Sequence, residues 1–222
     1  LKNAEVFLYD AVLDETFTDF FPADSIRIFV GKRKGLHTKT QEEIHGYMKT
    51  YYSEGKRIVR LKGGDPFLFG RGAEEVKFLR ENNIPYEIVP GVSSMQAACA
   101  LGEIPLTHRG VSREVLILGG SNEKNRDYDF SLLSKFNGTI VLFMGSEVLD
   151  WFCKSLIEAG KIPDTSIALL ENLSFENQKV TLGTLSDFAT GQMSKLTSGP
   201  GITIIGKVVD VLKYDSPKMS FT

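Results

Sequence analysis

The stretch VRLKGGDPFLFGRG, residues 59–72, decides how the first half of the chain is interpreted. A buried-type strand is predicted over 57–61, and a helix is predicted over 72–82. Between them, four glycines lie within ten residues, a density that is costly inside a helix or a strand. The stretch therefore predicts a strand, a glycine loop and a helix in succession. It also raises the question of what comes so close to this backbone that side chains are absent.

Strands and helices alternate through the first half of the chain. Thr40 and Glu43 have the spacing of a capping box at the start of one helix, and Gly55 follows its end. This alternation predicts a parallel sheet with crossover helices, which binds ligands at the carboxyl ends of its strands. The predicted strands are 5–9, 27–30, 57–61 and 86–89, and the predicted helices are 40–54, 72–82 and 93–101.

A polar stretch without periodicity, residues 105–114, predicts a link between two domains. After it the strands come closer together, which favours a mixed sheet with antiparallel members. We therefore expect an α/β chain with a parallel-sheet domain over 1–108 and a mixed-sheet domain over 114–222. The later strands are predicted at 115–118, 139–144, 167–170, 179–182 and 202–209, with helices at 148–159 and 186–193.

The composition excludes several classes of protein. With 42% hydrophobic and 24% charged residues and a net charge of −2, the 222-residue chain resembles an ordinary globular protein. We expect no nucleic-acid or membrane partner, and a cytoplasmic location, because no basic excess, membrane-spanning run or signal peptide occurs. Cys99 and Cys153 are predicted to be buried free thiols. The three histidines lack metal-ligand spacing, so no metal is expected.

Polar residues follow the predicted strands of the first half. Asp10, Lys32 and Asp65 each follow a strand, and Ser93 and Ser94 come after the fourth. In a parallel sheet these positions would line one crevice. The glycine loop lacks the Lys-Ser or Lys-Thr of a P-loop and the GxGxxG dinucleotide pattern. This favours an uncharged or zwitterionic adenosine-type ligand, with a purely structural turn as the alternative.

Four segments carry a resemblance to a known family: RLKGGDPFLFGRGAEE, VGKRKGLHTKTQEEI, VPGVSSMQAACALGEIPLTHR and VLFMG. With them the chain is similar to the uroporphyrinogen-III C-methyltransferases among the tetrapyrrole methylases. The resemblance implies two α/β domains with the active-site cleft between them, usually as a homodimer. It implies S-adenosyl-L-methionine as cofactor, with S-adenosyl-L-homocysteine as its product. It also implies methylation of uroporphyrinogen III at C2 and C7 to precorrin-2, in siroheme or cobalamin biosynthesis.

The resemblance also implies roles for individual residues. Asp10 matches the family's proposed proton acceptor, and Lys32 its proposed proton donor, although Lys32 could equally pair with a substrate carboxylate. Arginine suits the carboxylates of such a substrate, so Arg71 and Arg109 are candidates for binding it. Glu74 is placed to hold Arg71, unless the two only cap a helix and form a surface pair. The implied cofactor-binding residues are Gly63, Gly64, Asp65, Leu68, Ser93, Ser94, Met144, Leu173, Pro200, Gly201 and Ile202.

The chain departs from the family pattern at two places. The family's first strand and its GxGPGDP loop would be expected before Leu1. Leu173 stands in ENL, where relatives have the glycine of ENG.

Three other interpretations therefore stay open. The chain could methylate another precorrin, or could be a non-catalytic module that binds the cofactor. It could also be one piece of a fused enzyme that carries a siroheme dehydrogenase-chelatase or uroporphyrinogen synthase domain. The tail DSPKMSFT argues against a fusion on that side.

Overall fold

The computed structural model describes residues 1–11, 13, 15–31, 39–120, 128–191, 193 and 200–212. The chain forms two compact units, Leu1–Ser93 and Ser94–Thr222. This division falls upstream of the predicted link, so the helix before the link belongs to the second unit. The domain ranges 1–108 and 114–222 stay a prediction.

The sheet of the first unit is parallel, as expected. Its three strands, in the order β2-β1-β3, run in register so that Tyr9 lies beside Phe29 and Leu61. The carboxyl ends of all three strands therefore meet at one edge of the sheet. The strands are β1 (Val6–Tyr9), β2 (Ile26–Phe29) and β3 (Ile58–Leu61).

The fourth strand predicted over 86–89 was wrong. No ladder pairs these residues in the described part of the chain, and Tyr86, Ile88 and Val89 are all exposed. Their alternation of polar and apolar residues does not reflect burial on a sheet. Ser93 and Ser94 consequently do not follow a fourth strand of this sheet.

Two helices cover the first sheet. The capping box is confirmed, because the Glu43 amide donates to Thr40 Oγ1 (3.2 Å) and the Thr40 amide donates to Glu43 Oε2 (2.7 Å). The first helix buries Ile44 and Met48 in one cluster with Val6 and Leu8. A 3₁₀ helix, Glu15–Phe20, was not predicted. The two helices are α1 (Gln41–Ser53) and α2 (Gly72–Glu81).

The second unit has the mixed sheet that the sequence predicts. Its strand order is β4-β5-β8-β6-β7, with β4 and β5 parallel and every other pair antiparallel. The last strand was predicted too long, since the chain turns at Gly206 into a 3₁₀ helix, Lys207–Asp210. The strands are β4 (Val115–Gly119), β5 (Thr139–Phe143), β6 (Ser166–Glu171), β7 (Lys179–Thr184) and β8 (Gly201–Ile205).

The core of the second unit lies between this sheet and its helices. Side chains such as Leu142, Phe152 and Phe188 are completely buried there. Cys153 is also buried and free, whereas Cys99 is free but only half-buried. The helices are α3 (Ser94–Gly102), α4 (Phe130–Lys135), α5 (Leu149–Glu158) and α6 (Leu185–Ala189), with a 3₁₀ turn at Ser146–Val148. Within the described residues, no helix has the length and apolar character needed to cross a bilayer.

Candidate active site

Asp10 lies directly after β1, at the edge of the first sheet where the three strands end. Arg60 of the neighbouring strand β3 holds it: Arg60 Nη2 donates to both carboxylate oxygens of Asp10, at 2.9 and 3.0 Å. Arg60 Nη1 also donates to the carbonyl oxygens of Leu8 (3.3 Å) and Leu61 (2.9 Å). The guanidinium is therefore fixed by both strands, and the Asp10 carboxylate is fixed by the guanidinium.

A buried carboxylate lies behind this pair. Glu75 is 5% exposed and accepts a hydrogen bond from Arg60 Nε at 3.0 Å. Each of its two oxygens also accepts a hydrogen bond from Lys62 Nζ at 3.0 Å. Gln41 Nε2 also donates to it, at 3.3 Å. We call Asp10, Arg60, Lys62 and Glu75 the charge cluster. Its two acids and two bases balance, as charges out of water require.

The charge cluster was missed at the sequence level, although a signal was present. Arg60 lies on β3 and Lys62 directly follows that strand, so their spacing of two predicts that they share one face. That face also carries Leu8 and is covered by α1 and α2. Burial is the main cause that lowers the pKa of Lys62, and Arg60 adds to it, while Glu75 opposes both. Charged residues at alternate positions of a buried strand thus indicate a polar end to its core.

The glycine loop after β3 folds closely on itself, which answers the question raised by its composition. A Cβ at Gly72 would lie 2.4 Å from the carbonyl oxygen of Pro66, and one at Gly70 would lie 2.7 Å from it. The Gly72 amide donates to the same oxygen at 2.8 Å. A Cβ at Gly91 would likewise lie 2.3 Å from the Gly64 carbonyl oxygen. At these three positions the close neighbour is the protein's own backbone.

Asp65 joins the loop to the segment around Gly91. One carboxylate oxygen accepts from the Phe67 amide at 2.8 Å, and the other accepts from the Gly91 amide at 3.2 Å. Gly64 has a φ of 94° and takes a conformation that favours glycine. Gly63 is exposed and Leu68 is half-buried. The side chain of Asp65 is therefore engaged by the backbone of its own unit.

Arg71 and Glu74 form the pair that the sequence suggests. Arg71 Nε and Nη2 donate to the two Glu74 oxygens at 2.8 and 2.5 Å, and both side chains are more than half exposed. Arg71 lowers the pKa of Glu74 by hydrogen bonding, and Glu74 raises the pKa of Arg71 in the same way. Phe69 and Arg71 both have left-handed backbones, with φ of 55° and 57°. Such strain is often found at functional sites.

The remaining predicted residues of the first unit give less information. Ser93 is buried at the end of the unit. Lys32 lies outside the described residues.

In the second unit, one edge of the sheet brings together the ends of β4, β5 and β6 and the start of β8. Met144, the residue after β5, is 51% exposed and has a left-handed φ of 52°. A Cβ at Gly120 would lie 2.6 Å from the Cα of Gly145, so these loops touch backbone to backbone. Gly201 and Ile202 begin β8, and Ile202 pairs with Phe143. We call this region the β8 edge.

The segment after β6 also contributes to the β8 edge. Glu171 is 2% exposed, and its Oε2 has no hydrogen-bond partner. The next amide, that of Asn172, donates to the carbonyl oxygen of Pro200 at 3.0 Å. Asn172 and Ser174 are left-handed, but Leu173 between them is not. Leucine at 173 therefore adopts its backbone conformation without the strain that a left-handed φ would impose.

Arg109 lies in the second unit, in a turn closed by hydrogen bonds between the backbones of His108 and Ser112. An open cavity of about 410 Å³ lies at this turn. Ser94 is exposed at the start of α3. The cavity is lined by Thr107, His108, Arg109, Ser112 and Arg113. Two arginines thus face one open space, an arrangement suited to an anion.

The two units, with polar and glycine-rich loops at their strand ends, define an α/β protein built to bind small ligands there. Comparison with known families then gives a particular assignment. The chain belongs to the Tetrapyrrole (Corrin/Porphyrin) Methylases, whose model matches residues 1–189.

Curated relatives resemble nearly the whole chain. An S-adenosyl-L-methionine-dependent uroporphyrinogen III methyltransferase of Methanosarcina barkeri is 40% identical over 94% of this chain and 83% of its own length. A uroporphyrinogen-III C-methyltransferase of Methanocaldococcus jannaschii is 38% identical over 96% of this chain and 88% of its own. A siroheme synthase of Actinobacillus pleuropneumoniae is 37% identical over 96% of this chain, which covers only 44% of that longer protein.

Solved structures share the fold. Uroporphyrin-III C-methyl transferase from Thermus thermophilus, complexed with S-adenyl homocysteine, has a TM-score of 0.80 and 34% identity. This match covers 95% of this chain and 89% of that one. A cobalt precorrin-4 methyltransferase has a TM-score of 0.82 and 25% identity, over 95% of this chain and 87% of its own.

Proposed function

We propose that this protein transfers methyl groups from S-adenosyl-L-methionine to C2 and C7 of uroporphyrinogen III, which gives precorrin-2. The observation that carries this proposal is the 40% identity to a uroporphyrinogen III methyltransferase over 83% of that enzyme's length. The product would serve siroheme or cobalamin biosynthesis.

The residues of the β8 edge fit such a cofactor. Adenine needs apolar walls and a few polar partners. Apolar side chains are supplied by Met144, Leu173 and Ile202. Glu171 supplies a buried oxygen that still lacks a donor. Pro200 and Gly201 complete this proposed set.

From the resemblance, we also propose that the glycine loop supplies backbone groups to S-adenosyl-L-methionine. Gly63 is exposed and Gly64 is half-buried. The resemblance adds Leu68, Ser93 and Ser94 to the proposed cofactor-binding set. Asp65 would act by fixing the loop, because both of its oxygens already hold backbone amides. When bound, S-adenosyl-L-methionine supplies an electrophilic methyl group on a sulfonium that is a good leaving group.

The chain's own residues would then orient the substrate and move a proton. An ionised carboxylate has about four acceptor positions, and Arg60 uses two of those on Asp10. One of the other positions is proposed to take the proton that must leave the macrocycle after methylation. Lys32 is proposed as the proton donor, from the resemblance alone.

Uroporphyrinogen III carries eight carboxylates, and arginines are proposed to bind some of them. Arg71 is exposed yet held in one orientation by Glu74. Arg109 shares an open cavity with Arg113. A guanidinium that is already oriented loses less side-chain entropy when it binds a carboxylate.

We also propose a homodimer, from the resemblance, and a cytoplasmic location, from the composition of the chain. Large apolar side chains on the first unit, including Tyr52, Phe67 and Phe69, are exposed and would suit an interface. Light scattering after size exclusion tests this, and a monomer at all concentrations would contradict it.

The activity is tested by anaerobic turnover of uroporphyrinogen III with methyl-deuterated S-adenosyl-L-methionine, followed by mass spectrometry. A product with two labelled methyl groups is expected. Cofactor binding without any methylated product would overturn the proposal and favour a non-catalytic module. Turnover of a later precorrin in place of uroporphyrinogen III would overturn it in favour of a different methylase.

A further inference from the structure

We propose that Glu171 is a ligand-binding residue, whose carboxylate accepts a hydrogen bond from an amino group of the cofactor. This inference rests on the proposed function and names the partner of one buried side chain. It adds a residue to the β8 edge that neither the sequence motifs nor the resemblance assigned.

The first argument is the burial of a carboxylate oxygen that has no hydrogen-bond partner. Glu171 is 2% exposed, and its Oε2 is the single buried side-chain oxygen or nitrogen in the described residues that lacks a partner. Buried polar groups are nearly always hydrogen-bonded, so each exception in a folded protein needs an explanation. A carboxylate kept out of water without a donor weakens the folded state.

The second argument is that the neighbouring cation does not use Glu171. Glu171 ends β6 and lies opposite Lys179 of β7 in the antiparallel ladder. Lys179 is nevertheless exposed, whereas Glu171 is buried and its Oε2 has no hydrogen-bond partner among the described residues. The cation opposite Glu171 therefore does not satisfy that oxygen.

The third argument is the position of Glu171 in the sheet. On its other side it pairs with Gly201 of β8. A Cβ at Gly201 would lie 2.7 Å from Ser146 Oγ, 3.4 Å from Leu169 Cδ1 and 3.6 Å from Glu171 Cγ. Glycine at 201 therefore lets the Ser146 hydroxyl lie close to the β8 backbone beside Glu171. The carboxylate thus lies at the strand ends of the β8 edge, where Met144 is 51% exposed.

The chemistry of the ligand follows from that of the acceptor. An ionised carboxylate can only accept hydrogen bonds, so its partner must be a donor. S-adenosyl-L-methionine has two amino groups, the exocyclic amine of adenine and the α-ammonium of the methionine part. Both meet the requirement, and S-adenosyl-L-homocysteine retains both.

The test compares ligand affinity and stability in Glu171→Met, which removes the acceptor at similar size, and in Glu171→Gln. Glu176→Met serves as the matched control, because Glu176 is an exposed acid in the following turn. Calorimetric titration with S-adenosyl-L-homocysteine should give at least tenfold weaker binding for Glu171→Met, a smaller loss for Glu171→Gln and none for the control. Without ligand, the melting temperature of Glu171→Met should rise, since an unpaired buried charge is gone.

Two analogues identify the amino group. S-inosylhomocysteine lacks the exocyclic amine, and S-adenosyl-4-thiobutyrate lacks the α-amino group. The ratio of wild-type to Glu171→Met affinity should fall toward one for whichever analogue lacks the bonded group. Equal ratios for both analogues, unchanged affinity in Glu171→Met, or a lowered melting temperature would each overturn the inference. A wild-type chain that binds no S-adenosyl-L-homocysteine would instead refute the proposed function itself.

Discussion

Replacing Arg60 by glutamine should break the contact between Asp10 and the rest of the charge cluster. The change removes both hydrogen bonds to Asp10 and the bond from Nε to Glu75. Glu75 retains Lys62, which donates to both of its oxygens. Lys62 interacts with Asp10 by charge, but among the described residues no second cation donates a hydrogen bond to Asp10, so it should lose its fixed orientation.

The magnitude follows from the burial of the three side chains. Arg60, Asp10 and Glu75 are 13%, 20% and 7% exposed. Removal of one member of a buried ion pair costs about 3–5 kcal/mol. Because Lys62 still neutralises Glu75, we expect the lower end, about 3 kcal/mol from the free energy of unfolding. Turnover should fall at least tenfold, which corresponds to about 1.4 kcal/mol in the barrier.

Unfolding by guanidinium, followed by circular dichroism, gives the stability change. Hydrogen exchange of peptides that contain β1 and β3 shows whether the loss of stability lies in the first unit. Lys56→Gln is the matched control, since Lys56 pairs with Glu5 at 3.2 Å near the opposite ends of the same two strands, but in an exposed position. It should leave both stability and turnover nearly unchanged.

A double-mutant cycle with Asp10→Asn decides whether Arg60 acts through Asp10. If it does, Arg60→Gln should reduce turnover far less when Asp10 is already replaced. Additive losses would refute the reasoning, and so would an Arg60→Gln variant as stable and as active as the wild type. Arg60→Lys should lower turnover like Arg60→Gln, because a lysine cannot reproduce the directed hydrogen bonds of the guanidinium. It should cost less stability than Arg60→Gln, because it keeps the positive charge.

Three further predictions concern separate features. Arg71→Ala should lower turnover at least tenfold with little change in melting temperature, whereas Lys77→Ala, which breaks an exposed ion pair of the same helix, should leave turnover unchanged. Equal rates for the two variants would show that Arg71 is not part of the site. Gly72→Ala should destabilise the protein, because its Cβ would lie 2.4 Å from a backbone oxygen. Gly46→Ala in α1, where no atom lies within 4 Å of a Cβ, should instead stabilise the protein by about 0.5–1 kcal/mol. The same change in melting temperature for both variants would contradict this prediction. Burial raises the pKa of Cys153 to about 12 and also raises the pKa of Cys99. Neither thiol should therefore react with iodoacetamide at pH 8 until the protein unfolds. Mass spectrometry that finds Cys153 alkylated in the native protein would disprove this prediction.

Local patterns predicted the elements of this fold well. Residues 5–9 and 57–61 were predicted as strands because their apolar runs are bounded by polar or glycine residues, and β1 and β3 occupy these positions. Thr40 and Glu43 marked a helix start within one residue, since a capping box is a contact between neighbours. The prediction over 86–89 failed because pairing depends on a partner strand, which the local sequence does not contain.

The candidate site was harder to predict than the fold. Asp10 and Arg71 could be singled out by their place after a strand or before a helix. Arg60 gave only the weak signal of its alternation with Lys62, and Glu75 gave none, since a charge in a short strand or at a helix start usually faces solvent. Their burial depends on contacts with residues 13 to 52 positions away, and only the folded chain brings these together. The glycines at 70 and 72 suggested a ligand, but the structure places the loop's own carbonyl oxygen against them.

The position of β8 has a consequence for how the protein is made. β8 is the last strand among the described residues, yet it separates β5 from β6 and forms ladders with both. While a ribosome synthesises the roughly 60 residues between β5 and β8, for about 3–12 s at ordinary rates, β5 presents an unpaired edge, and β6 does so once it has been made. Such edges invite pairing with other chains. Nascent polypeptides stalled within this window should therefore be the form of this protein that most needs a chaperone.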